Sequence, residues 1–308
     1  MKTIIYLLFI ANTFSVCGSK ITKKKPFEDT IKGYFNDDDL KDYIVKDKKN
    51  SNKVTFTIFI NNGKTYIKKM SFDVVGDDFS DIENSIENLF ITNPKKGEIG
   101  IGASCCGNFK STEISYYKYY QNIQNWILYK NNTATIDTDF LPSIVIKYLD
   151  FSYTIDNKNI GLNTSLKNKE LSDLKAINET LFKKLYDKYK NANDTKTSDR
   201  VSGSLNFDDL AELLSLIPLD KKNINDYNDL AYYLGQCKDG KTSSIFLLKE
   251  ILKKEPSRVV AYLNLADAQW DFDQKDNAAK SYKKYSVLMK SARKDLTKIP
   301  LRVIERSK

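Results

Sequence analysis

The apolar residues of this chain change their period near residue 165, and that change constrains the fold more than any other feature of the sequence. Upstream, one position in two is apolar: Val54, Phe56, Ile58 and Ile60 share one face of "KVTFTIFINNGKTYIKKM", as a half-buried strand requires. Downstream, Leu171, Leu174, Ile177, Leu181 and Leu185 recur at helical spacing, the stripe of an amphipathic helix. Strands first and helices after imply an α+β fold, with the two kinds of element segregated rather than alternating. With 308 residues, 41% of them hydrophobic, the chain can fill two cores of ordinary domain size.

Turn chemistry divides the first part. Asn62-Gly63 tolerates positive φ and predicts a two-residue hairpin turn. "STEISYYKYYQNIQNWILYKNN" repeats the design, with Trp126 opening the return strand, and "SIVIKYLDFSYTI" supplies a further strand. Asp81 to Leu89 reads as a helical turn. One curved antiparallel sheet or a small sandwich is expected. Beyond it, "NANDTKTSDRVSGS" is polar, small and punctuated, the composition of a linker. A helix from Asp208 to Leu216 ends before Pro218. The expected division is a signal at 1–18, a basic tether at 19–29, a β-rich domain at 30–165, an amphipathic helix at 166–190, a linker at 191–204 and a helical domain at 205–308.

Lys2, the apolar stretch Thr3 to Phe14 and "SVCGSK" have the basic start, short hydrophobic core and small-residue exit of a secretory signal. The stretch is too short to span a bilayer. Two readings stay open: removal after Gly18, or lipid attachment to Cys17 as in a lipoprotein. Both export the chain, to a periplasm, to a membrane surface through the lipid alone, or out of the cell.

Composition removes whole classes of function. There are no histidines, which excludes Ser-His-Asp and Cys-His nucleophile systems, His-ligated metals and the commonest general base. No pair of carboxylates stands out across a cleft, and the expectation is a protein that is not an enzyme. The net charge of +9 comes almost wholly from Lys, since Arg200, Arg258, Arg293, Arg302 and Arg306 are its only arginines. Nucleic-acid readout favours Arg forks, so no nucleic-acid partner is expected. Abundant Lys, Asn, Ile and Tyr suit an AT-rich bacterial genome. Of four cysteines, Cys17 lies in the signal, Cys105 and Cys106 form an adjacent pair in a glycine-flanked turn, and Cys237 stands alone. Without His or a second pair they make no zinc pattern, and small buried thiols are the expectation.

The most specific pattern lies near the end. In "AYLNLADAQWDFDQKDNAAKSYKKY", Tyr262, Leu265, Ala266, Ala278, Tyr282 and Tyr285 fall where a helix-turn-helix unit needs alternate large and small residues. "YNDLAYYL" and "SSIFLLKEILKKEP" supply Tyr227, Leu230, Ala231, Ser244, Leu248, Ile251 and Pro256 in the same order, with a turn one residue longer. Residues 225–290 therefore resemble two tetratricopeptide repeats, helical hairpins of about 34 residues. About three such hairpins are normally needed, so the 208–216 helix and the basic end "RKDLTKIPLRVIERSK" are expected to cap the stack, or the stack to dock on the β half. The resemblance implies a concave groove for a protein or peptide partner, lined by Asn225, Asn228, Tyr232 and Gln236 in the first unit and by Leu263, Asp267, Trp270 and Asp271 in the second. Trp270 would be either an anchor for that partner or a residue packed under the cap.

A second pattern opens the β half. "GYFNDDDLKD" presents Asn36, Asp38 and Asp42 just before a strand, and it resembles the calcium loop of FG-GAP or VCBS-like domains. The resemblance implies oxygen ligands for a hard cation. Tyr34 stands where the first Asp ligand belongs and Asp39 where the Gly belongs. The expectation is a structural Asx-type turn, with weak calcium binding as the alternative and no other cofactor. The functional expectation is a non-catalytic envelope scaffold that binds a protein partner. The alternatives are a carbohydrate or cell-wall module using Tyr116, Tyr117, Tyr119, Tyr120 and Trp126, and an immunity protein against an exported toxin.

Overall fold

The computed structural model of the chain describes residues 30–50, 53–75, 88–104, 111–136, 141–161, 163–198 and 205–307. Strands β1 (Thr30–Gly33), β2 (Asp42–Asn50), β3 (Lys53–Asn61) and β4 (Tyr66–Val75) pair antiparallel in sequence order. A second antiparallel sheet holds β5 (Leu89–Thr92), β6 (Glu98–Ser104), β7 (Ser111–Tyr120), β8 (Asn125–Ile136) and β9 (Pro142–Tyr148), again in order. The helices are α1 (Thr164–Asp194), α2 (Phe207–Leu216), α3 (Ile224–Gln236), α4 (Lys241–Lys254), α5 (Val259–Asp271), α6 (Lys275–Ser291) and α7 (Leu301–Arg306). The fold is α+β.

The two sheets pack face to face. Ile44, Phe56, Ile58, Phe72 and Val74 of the first meet Leu89, Ile99, Ile101, Ala103 and Trp126 of the second in one core. Successive side chains point to opposite faces of a strand, and the second sheet uses both. Tyr117 and Tyr119 pack against the sandwich core, while Tyr116 and Tyr120 pack on the other face with Ile127, Tyr129 and Phe151. Glycines thin β6 on that second face. A Cβ at Gly100 would stand 2.4 Å from Thr92 Oγ1 and 3.1 Å from the Tyr116 ring, so the bare backbone is what lets the ring lie there.

Helices cover the second sheet's outer face as a third layer. Leu141, Ile144 and Ile146, at and beside β9, share a core with Tyr189 of α1, Leu210 and Leu213 of α2, and Leu230, Leu234 and Phe246 of α3 and α4. Polar groups reinforce this seam. The Tyr148 hydroxyl donates to Glu212 Oε1 at 2.9 Å, and the Lys130 ammonium stands 3.5 Å from the same oxygen and 4.7 Å over the Tyr116 ring. Asn206 caps α2 by accepting from the Asp209 N–H, and Asn163 caps α1 through the Leu166 N–H.

Helices α3–α4 and α5–α6 form consecutive hairpins with small buried residues at the crossings, Ala231 in the first, Ala266 and Ala278 in the second. After a 3-10 turn at Leu296–Lys298, α7 returns onto the second hairpin, where Val303 joins Ala266, Tyr282, Tyr285 and Met289 in a core of their own.

Three local expectations change. The β3–β4 hairpin has a four-residue connection, with Asn61 paired to Tyr66, because Asn62 Oδ1 accepts from both Lys64 and Thr65 N–H and so builds a wider Asx turn. Leu89 begins strand β5 instead of ending a helical turn; 76–87 lie outside the described residues. Helix α1 runs to Asp194, four residues into the expected linker, because Ala192 is still buried there. The segments expected as signal and tether at 1–29, Cys17, and the Cys105–Cys106 pair also lie outside the described residues.

Candidate functional site

The candidate groove positions divide by burial. In the first hairpin, Asn225, Tyr232 and Gln236 are exposed on α3, whereas Asn228 is only 3% exposed and cannot meet a partner. Its place is in the packing of α3, where its Oδ1 has no hydrogen-bond partner. Asn225 Oδ1 accepts from Arg258 Nη2 at 2.6 Å across the α3–α5 step. Tyr232 sets its ring edge-on to Tyr233 at 5.6 Å, and Tyr233 meets Tyr186 of α1 in the same way at 5.8 Å. Tyr232 is thus an exposed ring held by an aromatic ladder that ties α3 to α1.

The second hairpin is arranged differently, because α7 lies on it. Asp267 Oδ1 accepts from Arg302 Nε at 2.9 Å and from the Tyr282 hydroxyl at 2.7 Å, and its Oδ2 accepts from Arg302 Nη2 at 2.8 Å. This is a bidentate fork, the strongest common ion-pair geometry. The Asp267 carboxylate pushes the Arg302 pKa up. Burial, with the bond to Asp267, pushes the Tyr282 hydroxyl up to about 12. Two cations stand over the Trp270 ring, Lys275 at 4.3 Å from the ring centre and Arg306 at 4.6 Å. Of the two roles the sequence left to Trp270, the structure places it under the C-terminal helix. Leu263 packs beside the same core. Asp271 is exposed and stands 3.4 Å from the Lys241 ammonium.

Arg302 and Arg306 are the functional candidates that sequence reasoning missed. Their signal was available: "RVIER" sets two guanidinium groups one helical turn apart, with Val303 beside the first.

The acidic loop has a structural job. Asp42 is 1% exposed; its Oδ2 accepts from the Phe35 and Asn36 N–H groups and its Oδ1 from the Asn61 N–H. Asn36 Oδ1 accepts from the Asp38 N–H, and Asp38 accepts from Leu40 N–H and Asn36 Nδ2. The oxygens of these three side chains are thus already engaged by N–H groups within the fold. Asp39, at the expected Gly position, reaches out to Lys96 at 2.9 Å, and the Gly97 N–H donates to Tyr34 O. The loop therefore fastens the first sheet to the β5–β6 turn. Among the described residues no group of three or more His, Cys, Asp or Glu is disposed around a metal position.

Trp126 is fully buried and donates through Nε1 to Phe35 O. Its ring is tilted against Tyr119 at 5.0 Å, so it offers no face to a sugar. Cys237 is a free, buried thiol whose pKa burial pushes up, which leaves it inert. No helix of the described residues is long and apolar enough to cross a membrane.

No family model, curated protein or solved structure matches this chain.

Proposed function

We propose that this chain is a non-catalytic, exported binding scaffold, with a tetratricopeptide-like helical stack that engages a protein or peptide partner. The observation that carries this reading is the repetition of one burial pattern. Tyr227, Leu230 and Ala231 on α3 stand 35 positions before Tyr262, Leu265 and Ala266 on α5, and Ser244, Leu248 and Ile251 on α4 stand 34 positions before Ala278, Tyr282 and Tyr285 on α6. All of these are buried but Tyr262, which is half-buried. Hairpins that repeat in register stack side by side, so their first helices line a common face.

On that face Asn225, Tyr232, Gln236 and Asp271 are the exposed residues among the candidates; Asn225 is engaged by Arg258, and the aromatic hydroxyl of Tyr232 suits a partner contact. The carbohydrate reading has less support, because the aromatic residues of the second sheet pack inward. Export rests on the first 18 residues, and intact-mass measurement of the mature protein separates cleavage after Gly18 from a lipid on Cys17.

The test is site-specific photo-cross-linking in the envelope of the producing cell, with the full chain carrying the cross-linker at Tyr232. Capture of one partner at Tyr232, absent when the cross-linker sits at half-buried Thr57 of the first sheet, is expected. Equal capture from both positions, or capture from Thr57 alone, would defeat the reading.

A further inference from the structure

We infer that the surface formed by Asp267, Trp270 and Tyr282 on the α5–α6 hairpin is a binding site for a basic amphipathic helical segment of a partner protein, and that α7 is its resident, displaceable occupant. The inference deepens the scaffold reading and rests on it, since it names the partner chemistry at one end of the same stack.

The chemistry of the site is read from what fills it. Asp267 is a planar acceptor engaged by the Arg302 fork, the Tyr282 hydroxyl receives the Arg306 guanidinium at 3.2 Å, and the Trp270 ring takes the same guanidinium on its face. Between the two arginines Val303, 0% exposed, enters the apolar seat with Ala266, Tyr282, Tyr285 and Met289. A ligand for this site therefore needs Arg at positions i and i+4 of one helix and a branched apolar residue at i+1. Lys at position i would lose the bidentate contact.

The occupant is lightly held. Helix α7 is six residues long, and Val303 is its one buried side chain. Leu301 is 75% exposed and Ile304 57% exposed, and every residue from Ser291 to Lys298 in the connection is exposed. A segment with one buried anchor, two arginine contacts and an exposed connection opens far more readily than the α5–α6 hairpin beneath it. A partner segment of the same chemistry competes with α7 for the site and meets lower resistance wherever α7 is already released.

The experiment uses the full chain, a fluorescent peptide of residues 293–307 as probe, and an opened full-length variant carrying Arg302→Ala and Val303→Ser. In the native chain, amides of 302–306 should exchange with deuterium at least tenfold faster than those at the centre of α6. The opened variant should bind the probe at least tenfold more tightly than the native chain does. That binding should fall at least tenfold when the probe carries Arg302→Ala, and equally when Asp267→Asn is added to the opened chain. Amides of α7 that exchange only with global unfolding would overturn the proposal. So would an opened chain that is folded by circular dichroism, shows α7 released by exchange, and still fails to bind the probe. Concentration-dependent dimers of the native chain that disappear with Asp267→Asn would make a second copy the occupant and overturn the assignment to a foreign partner. Probe binding without any capture at Tyr232 would sink the scaffold reading alone, and capture without probe binding would sink this inference alone.

Discussion

Asp42 shows how one side chain can hold a loop by its acceptors. Three backbone N–H groups, from Phe35, Asn36 and Asn61, converge on its two oxygens at 2.9 to 3.3 Å. No neutral side chain of that size offers two acceptor atoms. Asp42→Asn would aim an NH2 group at one set of donors, and it should lower stability by about 1–3 kcal/mol, the cost of leaving a buried donor unmade, read from urea unfolding at pH 7. The pH dependence gives a second check. Burial raises the Asp42 pKa above 3.8, against the lowering effect of the three N–H bonds. The folded state then holds this proton more firmly than the unfolded state does, so the stability linked to Asp42 falls as pH rises from 3.8 through the raised value. The gap in urea midpoint between the native chain and Asp42→Asn should therefore narrow as pH rises across that window. A gap that widens would show that the N–H bonds outweigh burial.

At the scale of elements, small residues decide how closely helices and turns approach. Gly240 caps α4, and a Cβ there would stand 2.2 Å from Leu234 O at the end of α3. Gly240→Ala must therefore push the α3–α4 turn apart. A loss of about 2 kcal/mol is expected, within the range for overpacking, seen as a lower Tm with the helical signal at 25 °C unchanged; an unchanged Tm would show that the turn yields freely. This turn also marks how far the sequence could be read. The strand and helix periods and the paired helical units were legible because each depends on residues close in the chain; the turn at Asn62-Gly63 was legible in place but not in length, since Asn62 Oδ1 accepts from the Lys64 and Thr65 N–H groups and widens it to four residues. The burial of Asn228 was not legible, nor was the choice between the two roles left open for Trp270, since helix-to-helix contacts come from 30 or more positions away: Arg258 bonds Asn225 at a separation of 33, and Arg302 bonds Asp267 at 35. Which of the strand aromatics lie inside was left open for the same reason: the partner of buried Trp126, Phe35, lies 91 residues upstream.

For the whole molecule, the seam between the second sheet and the helices determines whether the β and α parts unfold separately. Leu141, Ile144 and Ile146 pack into the same core as α1 to α4, so parting the layers exposes apolar surface on both sides. Lys130 and Glu212 sit in that seam, with Lys130 9% exposed and its ammonium 3.5 Å from the carboxylate that Tyr148 also binds. Removing one member of a buried pair leaves the other without compensation, at about 3–5 kcal/mol, whereas replacing both with apolar residues of similar size is far milder. Glu212→Ala is therefore expected to lower the urea midpoint strongly, and Lys130→Met with Glu212→Leu to restore most of it. If the layers unfold as one unit, the two probes must move together: ellipticity at 222 nm, which reports the helices, and Trp126 fluorescence, read in a Trp270→Phe background. Coincident transitions in all these chains are the expected result. A Glu212→Ala chain that loses its helical signal at lower urea than its Trp126 signal would mean that the sandwich stands without its helical layer, and that the shared core joins two independently stable units.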